Sequence, residues 1–189
     1  KAVAGTGADA VLLPKVEGRS MVLEAMAILD HVGGPTDLPI WCMMETPLAM
    51  LHAEEIAFAH KRVGCLVMGT SDLAKDLHST HTLSRTPLMT SLELCILEAR
   101  AAGIGILDGV HLDLSDDDGF RVSCIQGLEL GMDGKTLIHP KTIAAANEVF
   151  APTADEIAWS QRIIKEHAAA EVEGKGVLLV DGKLVENLH

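Results

Sequence analysis

Short apolar runs alternate with longer segments of helical spacing along the chain. Ala8–Pro14 reads as a strand after a glycine-rich turn. Residues 18–32 carry helical periodicity, with Met21, Ala25, Ile28 and Leu29 predicted on the buried face. The turn Gly33-Gly34-Pro35 introduces a second strand over 38–44. A helix is expected over 49–59, a third strand over 63–68, and a helix over 88–102 that Gly103 ends. A fourth strand (104–107) precedes a helix over 116–130, whose acidic first turn suits the helix dipole. Then come a fifth strand (134–138), a helix (140–149) and a long amphipathic helix (155–171). The tail, 178–186, reads as a small hairpin or an extended segment around Asp181-Gly182.

These strands are continuous apolar runs, the pattern of a parallel sheet covered by helices on both faces. Five strand–helix units in series fit either a doubly wound sheet or part of a (β/α)8 barrel. The glycines form neither a GxGxxG fingerprint nor a P-loop, which gives no support to a nucleotide-binding fold.

Composition narrows the choice. The 189 residues are 48% hydrophobic with mean hydropathy +0.26, as in a globular protein with a real core. A net charge of −12 without any basic run argues against a nucleic-acid partner and against anionic membranes. No apolar run is long enough to span a bilayer and no signal peptide is evident, so a cytoplasmic protein is expected. Cys42, Cys65, Cys95 and Cys124 lie in apolar stretches without a CxxC pair, as buried free thiols do. The chain opens on Lys1, and Ala2–Gly7 read like the end of a helix and a turn, so both ends look cut.

Polar residues follow each strand: Lys15 and Glu17, then Glu45, then Ser71 and Asp72, then Asp108, then His139. In a parallel barrel these strand ends open on one face, where active sites form. Glu45 and Asp72 are the sharpest pair, because two carboxylates on neighbouring strand ends can share a Mg2+ ion. Each has a plainer reading. Glu45 and Asp72 could cap the helices that follow them. Asp108 could brace the Gly109 turn, Lys15 could be a solvated surface lysine, and His139 a hydrogen-bonded structural histidine. His78, His81 and His111 have no HxH or HExxH spacing that would hold zinc.

Glu45-Thr46-Pro47, Gly69-Thr70-Ser71-Asp72-Leu73-Ala74-Lys75-Asp76, Leu107-Asp108-Gly109-Val110 and Asp133-Gly134-Lys135-Thr136-Leu137-Ile138-His139-Pro140 occur in this order. The set resembles the citrate lyase β-subunit / malyl-CoA lyase family of the HpcH/HpaI aldolase superfamily, over nearly the whole chain. The resemblance implies a (β/α)8 TIM barrel that is incomplete at the N-terminus. About 80–100 residues would be absent, judged by a barrel of about 250. Residues 1–150 would be the C-terminal part of the barrel, and 151–189 a helix and lid.

It implies Mg2+ as cofactor, with Glu45 and Asp72 as its ligands. It places Ser71, Asp72, Ile138 and His139 along the substrate site, to which Lys15 and Asp108 are added as candidate contacts. The family's substrate-binding arginine lies on an earlier strand and has no counterpart here. The family's lid carries an acid, commonly Asp; in Gly182–Glu186 that acid is Glu186, with Asp181 as the fallback.

The implied reaction is cleavage of a carbon–carbon bond in a carboxylated 3-hydroxyacyl-CoA. It gives an acyl-CoA and a 2-oxoacid, with Asp72 and Glu186 as catalytic residues. The implied assembly is a homo-oligomer, a trimer or hexamer, in which Glu186 closes a neighbour's site. The alternatives are a malyl-CoA-type thioesterase, a class II pyruvate aldolase and a non-catalytic assembly subunit.

Overall fold

The computed structural model describes residues 5–172, 177–180 and 183–186, with side chains up to residue 168. The chain forms two compact units, Lys1–Phe150 and Ala151–His189.

The first unit is built on five parallel strands: β1 (Val11–Leu13), β2 (Ile40–Met44), β3 (Val63–Met68), β4 (Gly105–Asp108) and β5 (Gly134–Lys135). They lie in the sheet in chain order, so every connection steps to the next position without reversal. Helices make the crossovers that parallel pairing demands. These are α1 (Arg19–His31), α2 (Pro47–Leu51), α3 (Ala53–Ala57), α4 (Thr70–Asp76), α5 (Met89–Ala102) and α6 (Asp117–Leu130); α7 (Ile143–Phe150) follows β5.

The core lies between sheet and helices. Ile40, Cys42, Met44, Leu66 and Met68 from the strands meet Val22, Ile56, Leu92 and Cys95 from the helices, all fully or almost fully buried. All four cysteines are free and buried. Removal of the thiolate from water raises the thiol pKa to about 12 at Cys42 and Cys95 and about 11 at Cys65. Among the described residues no helix is long and apolar enough to cross a membrane.

Several elements depart from expectation for visible reasons. The buried stripe of α1 is Val22, Met26 and Leu29, while Met21 and Ile28 face outward. Met21, Val22 and Leu23 are all apolar, so periodicity left the face ambiguous by one residue. The single helix expected over 49–59 is two short ones, broken at His52, whose Nδ1 lies 2.7 Å from the Glu17 carbonyl. The fifth strand is only Gly134–Lys135. Beyond it Thr136 turns both its N–H and its hydroxyl onto the Asp108 carbonyl, each at 3.0 Å. Gly103 and Gly131 end α5 and α6 in the left-handed region that favours glycine.

The second unit contains α8 (Ala154–Val172) and an antiparallel hairpin of β6 (Val177–Val180) and β7 (Lys183–Glu186).

Candidate active site

Glu45, Asp72 and Lys15 come from three successive strand ends and meet at one edge of the sheet. Lys15 follows β1 with a left-handed backbone (φ 50°), a conformation uncommon for a non-glycine residue. This turn aims its N–H at Glu45, donating to Oε1 at 2.8 Å. Its ammonium reaches across to pair with Asp72 Oδ2. One residue thus holds both carboxylates.

The Lys15 hydrogen bond keeps the Asp72 carboxyl below its ordinary pKa, and the same bond raises that of Lys15. Glu45 is buried, whereas the Asp72 side chain is 45% exposed. Neither caps a helix: Thr46 Oγ1 caps α2 by accepting from Ala49 N–H, and Asp72 lies inside the first turn of α4.

Gly69 makes the close approach possible. A Cβ there would overlap the Glu45 side chain and stand 2.9 Å from its Oε2. Beside Asp72, the hydroxyl of Ser71 is buried and has no hydrogen-bond partner.

These donors suit a hard divalent ion. The Lys15 ammonium is held by Asp72 and lies in the field of Glu45, so the two carboxylates together already attract a cation. Mg2+ needs only one or two carboxylates and fills its other positions with water and substrate oxygens. Among the described residues no group of three or more His, Cys, Asp or Glu side chains that could hold a metal ion is found.

Asp108 is a different case. It was expected to touch substrate, but its side chain is 0% exposed at the end of β4. Arg85 Nη1 donates to both its oxygens at 2.6 and 2.8 Å, Lys135 Nζ to Oδ2 at 2.8 Å, and Gly109 N–H to Oδ1 at 2.8 Å. A carboxylate so enclosed braces the Gly109 turn and ties three segments together; it offers nothing to a substrate. Arg85 is anchored in turn by Gln126 Oε1 at 2.7 Å. Sequence reading missed Arg85 and Lys135, because a lone Arg in a loop and a Lys after a glycine carry no periodic signal of burial.

Ile138 and His139 follow β5 and are exposed, Ile138 by 52%. His139 Nδ1 accepts from Lys141 N–H at 3.1 Å, which opens the 3-10 turn Pro140–Thr142. Glu186 pairs with Val177 in the β6–β7 register. Its side chain, and Asp181 altogether, lie outside the described residues.

Other concavities lie elsewhere. Two of about 440 and 450 Å³ open where β2, β3 and β4 begin, lined by residues such as Phe58, His60, Lys61 and Arg62. No paired carboxylates lie there, and they sit at the wrong end for chemistry in a parallel sheet.

Residues 1–140 match the HpcH/HpaI aldolase/citrate lyase family. The chain belongs to this family. It is 50% identical over 188 residues to a (3S)-malyl-CoA thioesterase of Cereibacter sphaeroides, covering 100% of this chain and 64% of that protein. It is 32% identical over 191 residues to citrate lyase subunit beta of Escherichia coli, covering 98% of this chain and 63% of that one. The chain therefore spans a little under two thirds of the length of these relatives. Among solved structures it resembles CitE of Mycobacterium tuberculosis in complex with magnesium, acetoacetate and coenzyme A. The TM-score is 0.74 at 26% identity, over 99% of this chain and 66% of that one. The mixed α/β fold on a parallel sheet is thus the family's fold.

Proposed function

We propose that this chain is the metal-bearing part of a Mg2+-dependent enzyme acting on a carboxylated 3-hydroxyacyl-CoA of the malyl-CoA type. The observation that carries this reading is that Lys15 gathers both carboxylates at the strand ends, Glu45 through its backbone N–H and Asp72 through its ammonium. The magnesium and coenzyme A bound by CitE support it. The architecture proposed is an arc of a (β/α)8 barrel. Strands in unbroken chain order suit a barrel, whereas open doubly wound sheets reverse at a switch point. Leu12, on the edge strand β1, is exposed, as it would be where a further strand of such a barrel would pair.

Glu45 and Asp72 would hold the ion, and Lys15 would release Asp72 to it. When bound, Mg2+ supplies a Lewis acid for the hydroxyl and carboxylate oxygens of the substrate. The Ser71 hydroxyl offers a buried donor to the substrate, and the segment Ile138–His139 forms the far wall. Lys15, freed from Asp72, stands ready for an anionic group.

Hydrolysis is the reaction favoured here, because the 50%-identical relative is a thioesterase. Water oxygen bonds to the thioester carbonyl carbon, the carbon–sulfur bond breaks, and the thiol leaves with a proton. Carbon–carbon cleavage is the second reading, favoured by the citrate lyase relatives. There the carbinol hydroxyl gives up its proton to solvent and becomes the carbonyl of the 2-oxoacid as its bond to the acyl α-carbon breaks, and Glu186, acting from a lid over a neighbouring subunit, gives a proton to the α-carbon.

Product analysis with malyl-CoA separates the two. Malate and free thiol in equal amounts are expected; glyoxylate with acetyl-CoA would establish the lyase. No product of either kind in the presence of Mg2+, or full turnover in excess chelator, would refute the proposed function. Asp72→Ala should abolish turnover without loss of fold, since Asp72 is half exposed. Mixing inactive Glu186→Ala and Asp72→Ala proteins should restore some activity if Glu186 acts in trans.

A further inference from the structure

The cluster around Asp108 is electrically unbalanced. Its one carboxylate faces two buried cations, with the Arg85 side chain 5% exposed and that of Lys135 1%. One positive charge is left over where water has little access, and such a charge is costly. Burial, and to a lesser degree the neighbouring Arg85, push the Lys135 pKa down against the pull of Asp108.

Against this cluster lies a pocket of about 290 Å³, whose lining includes His81, Arg85, His111, Ser123 and Lys135. Three polar atoms of lining residues are buried without a hydrogen-bond partner: Arg85 Nη2, His111 Nε2 and Ser123 Oγ. Buried polar atoms are nearly always paired, so three orphans around one cavity point to a missing acceptor. Arg85 can only donate, and a hydroxyl and an imidazole can both donate.

Two carboxylates also line the pocket, and both are committed. Asp113 Oδ1 accepts from the N–H and hydroxyl of Ser115, at 2.8 and 2.6 Å. Asp116 Oδ1 caps α6 through Gly119 N–H at 2.9 Å, and its Oδ2 comes no closer than 4.0 Å to His111 Nε2. The His111 ring is set edge-on to Phe120, with centroids 6.0 Å apart.

We propose that this pocket binds a small oxyanion, phosphate or carboxylate, held by Arg85 Nη2, His111 Nε2 and Ser123 Oγ. It uses neither Glu45 nor Asp72 and does not depend on the reaction proposed above.

Titration calorimetry on the full-length protein tests it, in low-salt, metal-free buffer with inorganic phosphate, malate and acetate in separate runs. Saturable one-to-one binding of at least one anion is expected, and the ranking identifies the preferred class. Ser123→Ala and His111→Gln should each weaken it roughly 2–10-fold, the loss of one hydrogen bond. Arg85→Lys, which keeps a charge near Asp108 but withdraws Nη2, should weaken it about tenfold or more. Lys15→Gln should bind as the parent does, which separates this site from the Lys15 ammonium and the carboxylates it holds. The Ser123 and His111 variants carry the test even if the Arg85 variant does not fold. No saturable binding, equal binding in the Ser123 and His111 variants, or a crystal grown in phosphate with only water against Arg85 Nη2, would overturn the proposal.

Discussion

Replacing Asp108 by Asn tests the buried cluster directly. The amide keeps the shape of the side chain but removes the only negative charge shared by Arg85 and Lys135. Asp108 is fully buried and accepts four short hydrogen bonds from three residues, so neither rearrangement nor water can readily replace it. Breaking a buried ion pair by removing one partner costs about 3–5 kcal/mol. Against a total stability of about 5–15 kcal/mol, that is a large fraction.

The charge count also predicts an asymmetry. Lys135→Met leaves Asp108 paired with Arg85, one to one, and should cost clearly less than Asp108→Asn. Urea unfolding followed by far-UV circular dichroism measures both. A cost below about 1 kcal/mol for Asp108→Asn, well under the expected range, would refute the argument, as would a Lys135→Met variant less stable than Asp108→Asn.

Gly69→Ala places a methyl against Glu45 and should lower stability by about 1–3 kcal/mol, as overpacking does; Mg2+ affinity measured by calorimetry should fall with it. All four thiols should resist an aromatic disulfide reagent at pH 8 in the native protein and react once it is denatured. Burial, with nearby negative groups adding to it, keeps the pKa at about 11 or above at Cys42, Cys65 and Cys95. For Asp133, burial raises the pKa, but the hydrogen bonds from Arg100 and Ile106 N–H outweigh it and the net shift is downward. The stabilisation from Asp133 is therefore present above the unfolded carboxyl pKa, about 3.9, and lost as pH falls through the lower folded value. Asp133→Asn should flatten the acid limb of a stability–pH curve, and an unchanged limb would count against the reasoning.

Much of this protein was legible in the order of its residues. Val63–Met68 is a short continuous apolar run, the pattern of a strand covered on both faces; it forms β3 over those residues, all buried but Gly64. Gly103 and Gly131 mark helix ends because no other residue adopts a positive φ at so little cost. The polar residues after each strand fall at one end of the sheet, since parallel strands joined by helical crossovers must all point the same way. That topology brought Lys15, Glu45 and Asp72 to a common edge.

What the tertiary structure decided was burial and partnership. The inward face of α1 was settled by packing, because three successive apolar residues satisfy more than one helical stripe. Asp108 is polar and follows a strand, just as Glu45 does, yet one is enclosed by Arg85 and Lys135 and the other opens toward Lys15. Local sequence cannot separate them: the difference is made by Arg85, 23 residues away, and Lys135, 27 residues away, and by the low dielectric their meeting creates. The three unpaired donors around the neighbouring pocket come from separate loops and a helix, and only folding brings them to one place.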